Sequence, residues 1–201
     1  MKYKLLENET LHEVHCRALR TLYRIIAMED FNDVHKGDKG GFVENYDNLS
    51  QSDNSWVYDN AKVCGGAKVY GNAQIRNTAT VYGRTLIHGN AKVFDNANVG
   101  FDPRFYPKNS IVEIYGNAQV YDNSRVDAGS KICGNAKVFG NACVSPDLNR
   151  YYCSEVRGSA QVYGDATLVG TVAFGNVQVC GKTRLTMDHV CNNKTENVLS
   201  L

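Results

Sequence analysis

Aliphatic side chains recur at every sixth position along most of this chain. Val57, Val63, Val69, Ile75, Val81, Ile87, Val93 and Val99 run without a break. The series resumes as Ile114, Val120, Val126, Ile132, Val138 and Val144. It continues as Val156, Val162 and Leu168, slips by one residue to Ala173, and ends with Val179 and Leu185. Two positions before most of these stands a small side chain, such as Ala61, Ala73, Ala91, Ser124 or Ala136, and Gly-Asn or Asp-Asn commonly precedes it. A short strand puts the small and aliphatic residues on one face, because strand side chains alternate with period two. Gly and Asn then turn the chain, since both tolerate positive φ. A period of six does not make the stripe of a helix, and a Gly-Asn pair in each unit would break one. Hairpins would need longer strands between turns. The pattern therefore predicts an all-β solenoid whose strands stack in parallel on the preceding coil.

Period six does not by itself fix the number of sides per coil. The repeat resembles that of the hexapeptide-repeat left-handed parallel β-helix, in which three hexads complete one triangular coil. On that resemblance the twenty hexads make about six to seven coils, a stack roughly 30 Å long at sheet spacing. The expected organisation is an N-terminal β cap over residues 1–54, the single-stranded β-helix over 55–186, and a C-terminal tail or cap over 187–201. Two interruptions, 100–111 and 145–155, hold or adjoin all three prolines and read as loops. Six hexads, two whole coils, separate them. Both loops thus leave the same corner, about 10 Å apart.

Residues 1–50 lack the repeat. The run Leu19 to Met28 reads as a strand that pairs with Lys2–Leu6 or with Leu11–Arg17. A solenoid needs covered ends, and this segment is the simplest cover for the first coil. The block Tyr23-Arg24-Ile25-Ile26-Ala27-Met28-Glu29-Asp30-Phe31, with Gly37-Asp38-Lys39-Gly40-Gly41-Phe42-Val43, Asn48-Leu49-Ser50 and Trp56-Val57-Tyr58-Asp59, resembles the opening of the YdcK-like proteins. These are β-helical proteins of bacteria and phages, often labelled polymer-forming. With the hexads the resemblance covers nearly the whole chain. It implies a fold and a bacterial or phage provenance, and it carries no chemistry.

Three faces follow from the register. One carries Trp56 and Tyr58, then Phe94, Tyr121, Phe139 and Tyr163 at outward positions, beside Gln74, Lys92, Gln119, Lys137, Gln161 and Gln178. Aromatics are enriched and charges depleted in interfaces, so this face is a candidate contact surface. Rings stacked between neighbouring strands would give the same pattern without any partner. Arg104 and Tyr106 in one loop, with Arg150 and Tyr152 in the other, are candidate ligand contacts where the loops meet.

Lys and Arg total 22 against 21 Asp and Glu, a balance that gives no general attraction to nucleic acid or anionic membrane. No apolar run approaches the length of a membrane helix, and the protein is expected in the cytoplasm. Seven cysteines, without a CxxC pair, fit a reducing compartment.

Acyltransferase is the enzyme class that the hexapeptide resemblance suggests. Those enzymes use a histidine base at a cleft between subunits, with an acyl-CoA donor, and His88 is the one histidine among the coils. No motif of that class accompanies it. His12, His15 and Cys16 offer metal-ligand types, but no second cluster completes a tetrahedral set, so no metal and no cofactor is expected. The expected function is noncatalytic binding or scaffolding. The expected partners are further copies of the chain, as a homodimer or homotrimer, and a host protein if the chain is phage-encoded.

Overall fold

The computed structural model describes residues 1–15, 17–107, 110–147 and 152–191. Among them the one helical element is a short 3-10 turn, Tyr46–Asn48. The fold is the left-handed parallel β-helix expected from the hexads, and three sheets form its sides. Sheet I has ten strands, beginning with β1 (Tyr3–His15), β2 (Ala18–Ala27) and β3 (Lys39–Val43) and continuing through Lys62–Val63 to Arg184–Thr186. Sheet II runs from Trp56–Val57 to Gln178–Val179, and sheet III from Lys68–Val69 to His189–Cys191. The chain visits sheets II, I and III in turn, so each strand pairs in parallel with the strand one coil away. The aliphatic residues stack in register, Ile75 on Val57 and Val93 on Ile75, for instance. With the alanines they form one core that is almost wholly removed from water.

The corners explain the turn residues. Between sheets II and I the turning residue is Asp59, Asn77, Asp95 or Asp122 in the first four coils and Gly140, Gly164 or Gly181 in the last three, each in the left-handed region. Short Asx side chains tolerate that conformation because they bond to nearby backbone. Here they bond across coils: Asp59 accepts from the N–H of Asn77 at 2.9 Å, and Asp122 from that of Gly140 at 2.9 Å. Between sheets III and II the side-chain amides form a ladder, Asn72 to Asn90 to Asn117 to Asn135, at 3.0 Å per step. The slip from Leu168 to Ala173 costs no register, because Ala173 still pairs with Val156 across a turn shortened to Gly170-Thr171.

The coil register begins earlier and ends later than the hexad series. Val43 pairs in parallel with Val63, and Leu49 bridges to Val69, so part of the expected cap already follows the coil. At the other end Val190 stacks on Ala173. Upstream, β2 pairs with both halves of β1, Tyr3 opposite Ala27 and Leu11 opposite Leu22, around a bulge between Leu6 and Thr10. The hairpin joins sheet I through β3. Its far end lies across the outside of that sheet: Glu13 pairs with Lys62, His15 packs on Tyr82 at 5.7 Å, and Arg17 stands over Phe105 at 5.3 Å.

The base of the hairpin closes the first coil. Trp56, expected on the outer aromatic face, is instead 1% exposed, its ring edge-on to Tyr3 at 6.0 Å and to Phe31 at 5.3 Å. It sits on the end coil, where the covering segment folds over the position that stays outside in later coils. Lys2 lies at the same junction, buried, donating to the Ser55 carbonyl at 2.8 Å and pairing with Asp53. Burial pushes its pKa down, against the pull of Asp53.

Candidate functional site

Both interruptions leave the corner from sheet I to sheet III, as the hexad count requires. The first loop spans Val99 to Val112 and the second Ser145 to Glu155. The coil between them turns this corner tightly through Asp127-Ala128-Gly129-Ser130. The first loop is pinned from within. Phe101 is buried and meets Tyr106 edge-on at 5.2 Å, and Asp102 accepts the backbone N–H and the guanidinium of Arg104. That pairing holds the Asp102 carboxyl at about 2. The second loop is closed at its base by Ser154, whose hydroxyl donates to the Ser145 carbonyl at 2.6 Å, and by a bridge between Asp147 and Tyr152.

Between the loops lies a groove of about 990 Å³ over sheet III, at the large end of the ordinary range for ligand clefts. Its floor is the outward column Leu86, Glu113 and Lys131, which the strand register places side by side. Phe105, Tyr106 and Pro107 form one wall with Ile111, while Pro146, Asp147 and Cys153 form the other. The charges on the floor are matched: Glu113 pairs with Lys131 at 3.5 Å and with His88 at 3.3 Å. Of the four candidate loop residues, Arg104 and Tyr106 line the groove. Tyr152 is exposed on the second loop, and Arg150 lies outside the described residues. Glu113, Lys131 and Cys153 were not anticipated. The first two belong to a column of sheet III that the count of hexads already places beneath the loops.

The aromatic face is a ladder. Phe94, Tyr121, Phe139 and Tyr163 stack at 4.7, 5.0 and 4.8 Å with ring planes within 7° of parallel. These spacings match the distance between strands, so each interior ring spends both faces on its neighbours and offers only its edge. Tyr58 does not continue the ladder outward. The Arg76 guanidinium covers its ring at 3.6 Å, and its hydroxyl donates to Asp33 at 2.6 Å.

His88 lies in a second stack on sheet III, between Tyr70 at 4.8 Å and Tyr115 at 5.2 Å. Both ring faces are covered, and its Nε2 edge meets Glu113 at the rim of the groove. Tyr115 is pushed up to about 12, chiefly by its hydrogen bond with Cys133. On β1, His12 pairs with Thr21 and His15 with Glu13. Three residues apart on a strand, the two histidines point to opposite faces. Cys16 lies outside the described residues. No cluster of metal-ligating side chains occurs among the described residues, and no helix there is long and apolar enough to cross a membrane.

Fold and site together define a hexapeptide-repeat parallel β-helix with a loop-walled groove on one corner. No protein-family model matches the chain, and no curated protein matches it. Among solved structures the chain is similar to the acetyltransferase domain of PglB from Neisseria gonorrhoeae, at 12% identity with a TM-score of 0.26. The similarity covers 71% of this chain and about half, 55%, of that one. At that level the architecture rests on the strand register of this chain, and nothing about activity passes across.

Proposed function

We propose that the protein is a binding scaffold whose recognition surface is the corner from sheet I to sheet III, and that its partner is another protein with an apolar anchor. One observation carries this reading. Val14, Leu19, Phe105, Ile111 and Tyr152 are all between 42% and 73% exposed and sit on the hairpin tip and the two loops at this corner. Arg17 joins the hairpin tip to Phe105. Clustered exposed apolar side chains around a concavity mark interaction sites. The balanced charges of the groove favour an apolar or neutral contact over a strongly charged ligand. The resemblance of the opening segment to the YdcK-like proteins of bacteria and phages makes a bacterial host protein the partner to look for. The aromatic ladder then serves the stack rather than the partner.

Native mass spectrometry of protein purified from its host tests this. The expected result is a complex of defined stoichiometry that Phe105→Asp with Ile111→Asp abolishes and Tyr121→Glu preserves. A complex lost only with Tyr121→Glu, or a homo-oligomer with no second polypeptide, contradicts it.

A second reading has one observation in its favour: the His88 imidazole is hydrogen-bonded to Glu113 at the edge of the groove, the arrangement of an oriented general base. On this reading the protein transfers an acyl group from a thioester donor. Acyl transfer that survives in the folded His88→Ala protein would exclude His88 as that base.

A further inference from the structure

Strand β1 is the free edge of sheet I, and its two halves differ. In the first half the chain covers its own edge. The Gln51 amide accepts the Tyr3 N–H at 3.3 Å and donates to the Tyr3 carbonyl at 3.1 Å, and the Leu5 N–H reaches the Tyr46 hydroxyl. The bulge between Leu6 and Thr10 ends that stretch. Beyond it, no described side chain bonds to the outward backbone of β1. We propose that residues 10–15 pair antiparallel with the same segment of a second copy of this chain, joining two sheets across a two-fold axis at His12.

The register shows which groups face outward. Ala27 turns its N–H to Asp38 and its carbonyl to Gly37, so odd residues of β2 face β3 and even ones face β1. Ala18, Arg20 and Leu22 therefore bond to their partners His15, Glu13 and Leu11. Thr10, His12 and Val14 are left with N–H and carbonyl groups aimed at the open edge. Their side chains lie on the face away from the coils, where His12 meets Thr21 and Val14 is 68% exposed beside Leu19. A row of unpaired backbone groups is a template for a further strand.

Charge selects the register of self-pairing. Only an even offset sets outward residues opposite one another. Centred on Leu11, Glu9 would face Glu13 of the second copy, and centred on Glu13 the two Glu13 side chains would meet. Like charges directly opposite are destabilising. Centred on His12, Thr10 lies opposite Val14 and Leu11 opposite Glu13, so no two carboxylates meet. The three outward pairs then supply about six backbone hydrogen bonds, and each Val14 gains a β-branched neighbour. The segment is complementary to itself in this register. The contact takes Val14 from the apolar cluster of the corner and uses neither loop, so it and the proposed partner complex can fail separately.

Sedimentation velocity of the full chain over a concentration series reads the dimer directly, and a reversible monomer–dimer equilibrium is expected. His12→Pro removes an outward N–H and no bond to β2, a position where an edge strand tolerates proline. It should weaken the dimer about tenfold or more with the thermal melt unchanged. His12→Cys sets two thiols opposite each other on the axis, with Cα atoms about 5.5 Å apart and within disulfide reach. Mild oxidation should then give a covalent dimer whose peptide map joins position 12 to position 12, which decides the matter even if His12→Pro does not fold. Thr10→Cys should not link to its own copy, because four residues of offset separate the two by about 13 Å. A monomer at every concentration, a dimer that folded His12→Pro leaves unchanged, or linkage from Thr10→Cys in place of His12→Cys would each overturn the proposal. None of these results bears on the complex that Phe105→Asp with Ile111→Asp is expected to abolish.

Discussion

Two regions of this molecule use the same hexads to opposite ends. From Trp56 onward the repeat is unbroken on sheet II and at its two corners. Rings stack on rings, amides bond to amides, and left-handed Asx residues bond to the next coil. Every such contact consumes the surface it stabilises. The corner from sheet I to sheet III is different: the chain twice leaves the coil, and exposed apolar side chains gather there around a groove. A regular ladder, however aromatic, is largely a self-interaction at strand spacing. Recognition is more readily placed where the repeat is interrupted, because only there do side chains lack a twin one coil away.

The sharpest way to probe the contrast is a glycine from each setting. A Cβ on Gly83 would meet the Phe101 carbonyl oxygen at 2.3 Å, and its φ is +70°. Gly83→Ala should therefore destabilise by about 3 kcal/mol, from backbone strain and overpacking where the first loop starts. At Gly181, with φ +67°, no described atom lies within 4 Å of the same Cβ. Gly181→Ala should cost only the left-handed penalty of about 1 kcal/mol. Chemical denaturation of the two variants measures the difference, and equal losses would mean that the loop yields to the new methyl.

Next in size is the ladder against the loop. Tyr121 stacks on two rings, so Tyr121→Ala should cost about 1–3 kcal/mol for the lost pairs. Phe105 is 61% exposed, and Phe105→Ala should change stability by no more than about 0.5 kcal/mol. Thermal melts of both proteins rank them, and a larger loss at Phe105 would make the first loop structural.

The smallest effect concerns Asp33, which ties the N-terminal segment to the outer face. The Tyr58 hydroxyl donates to it, Arg76 pairs with it at 2.9 Å, and together they hold its carboxyl below the usual range despite some desolvation. A depressed folded pKa adds stability that is present above the ordinary carboxylate pKa and is lost as pH falls through the folded value. Asp33→Asn should accordingly lose a few tenths of a kcal/mol at neutral pH, the contribution being small because the pair is exposed. It should also unfold with a shallower dependence on pH below about 4. Denaturation midpoints at neutral and acidic pH check this, and parallel curves for the two proteins would contradict it.

Much of this architecture was legible in the chain. The hexads assign every strand from Trp56 to Thr186 to its sheet, and counting six units between the interruptions puts both loops on one corner. Val43 and Leu49 also stand six apart, but eight residues separate Leu49 from Val57, so the first coil was concealed by its longer turn. Val190 follows Leu185 by five, the same slip as at Ala173. Trp56 could not be placed from the period, because its burial depends on Tyr3 and Phe31, which belong to a segment with no repeat. The path of the hairpin was hidden for a related reason: its tip crosses sheet I to reach Phe105, and no local pattern encodes that contact.

The central claim is that recognition takes place at the interrupted corner and not on the ladder. Photo-crosslinking in the native host tests it most directly, with benzoylphenylalanine placed singly at Phe105, Ile111, Phe94 and Tyr163. The account predicts one discrete adduct, of the same partner, from Phe105 and Ile111 and none from Phe94 or Tyr163. Adducts from the two ladder positions, with the loop positions silent, would contradict it.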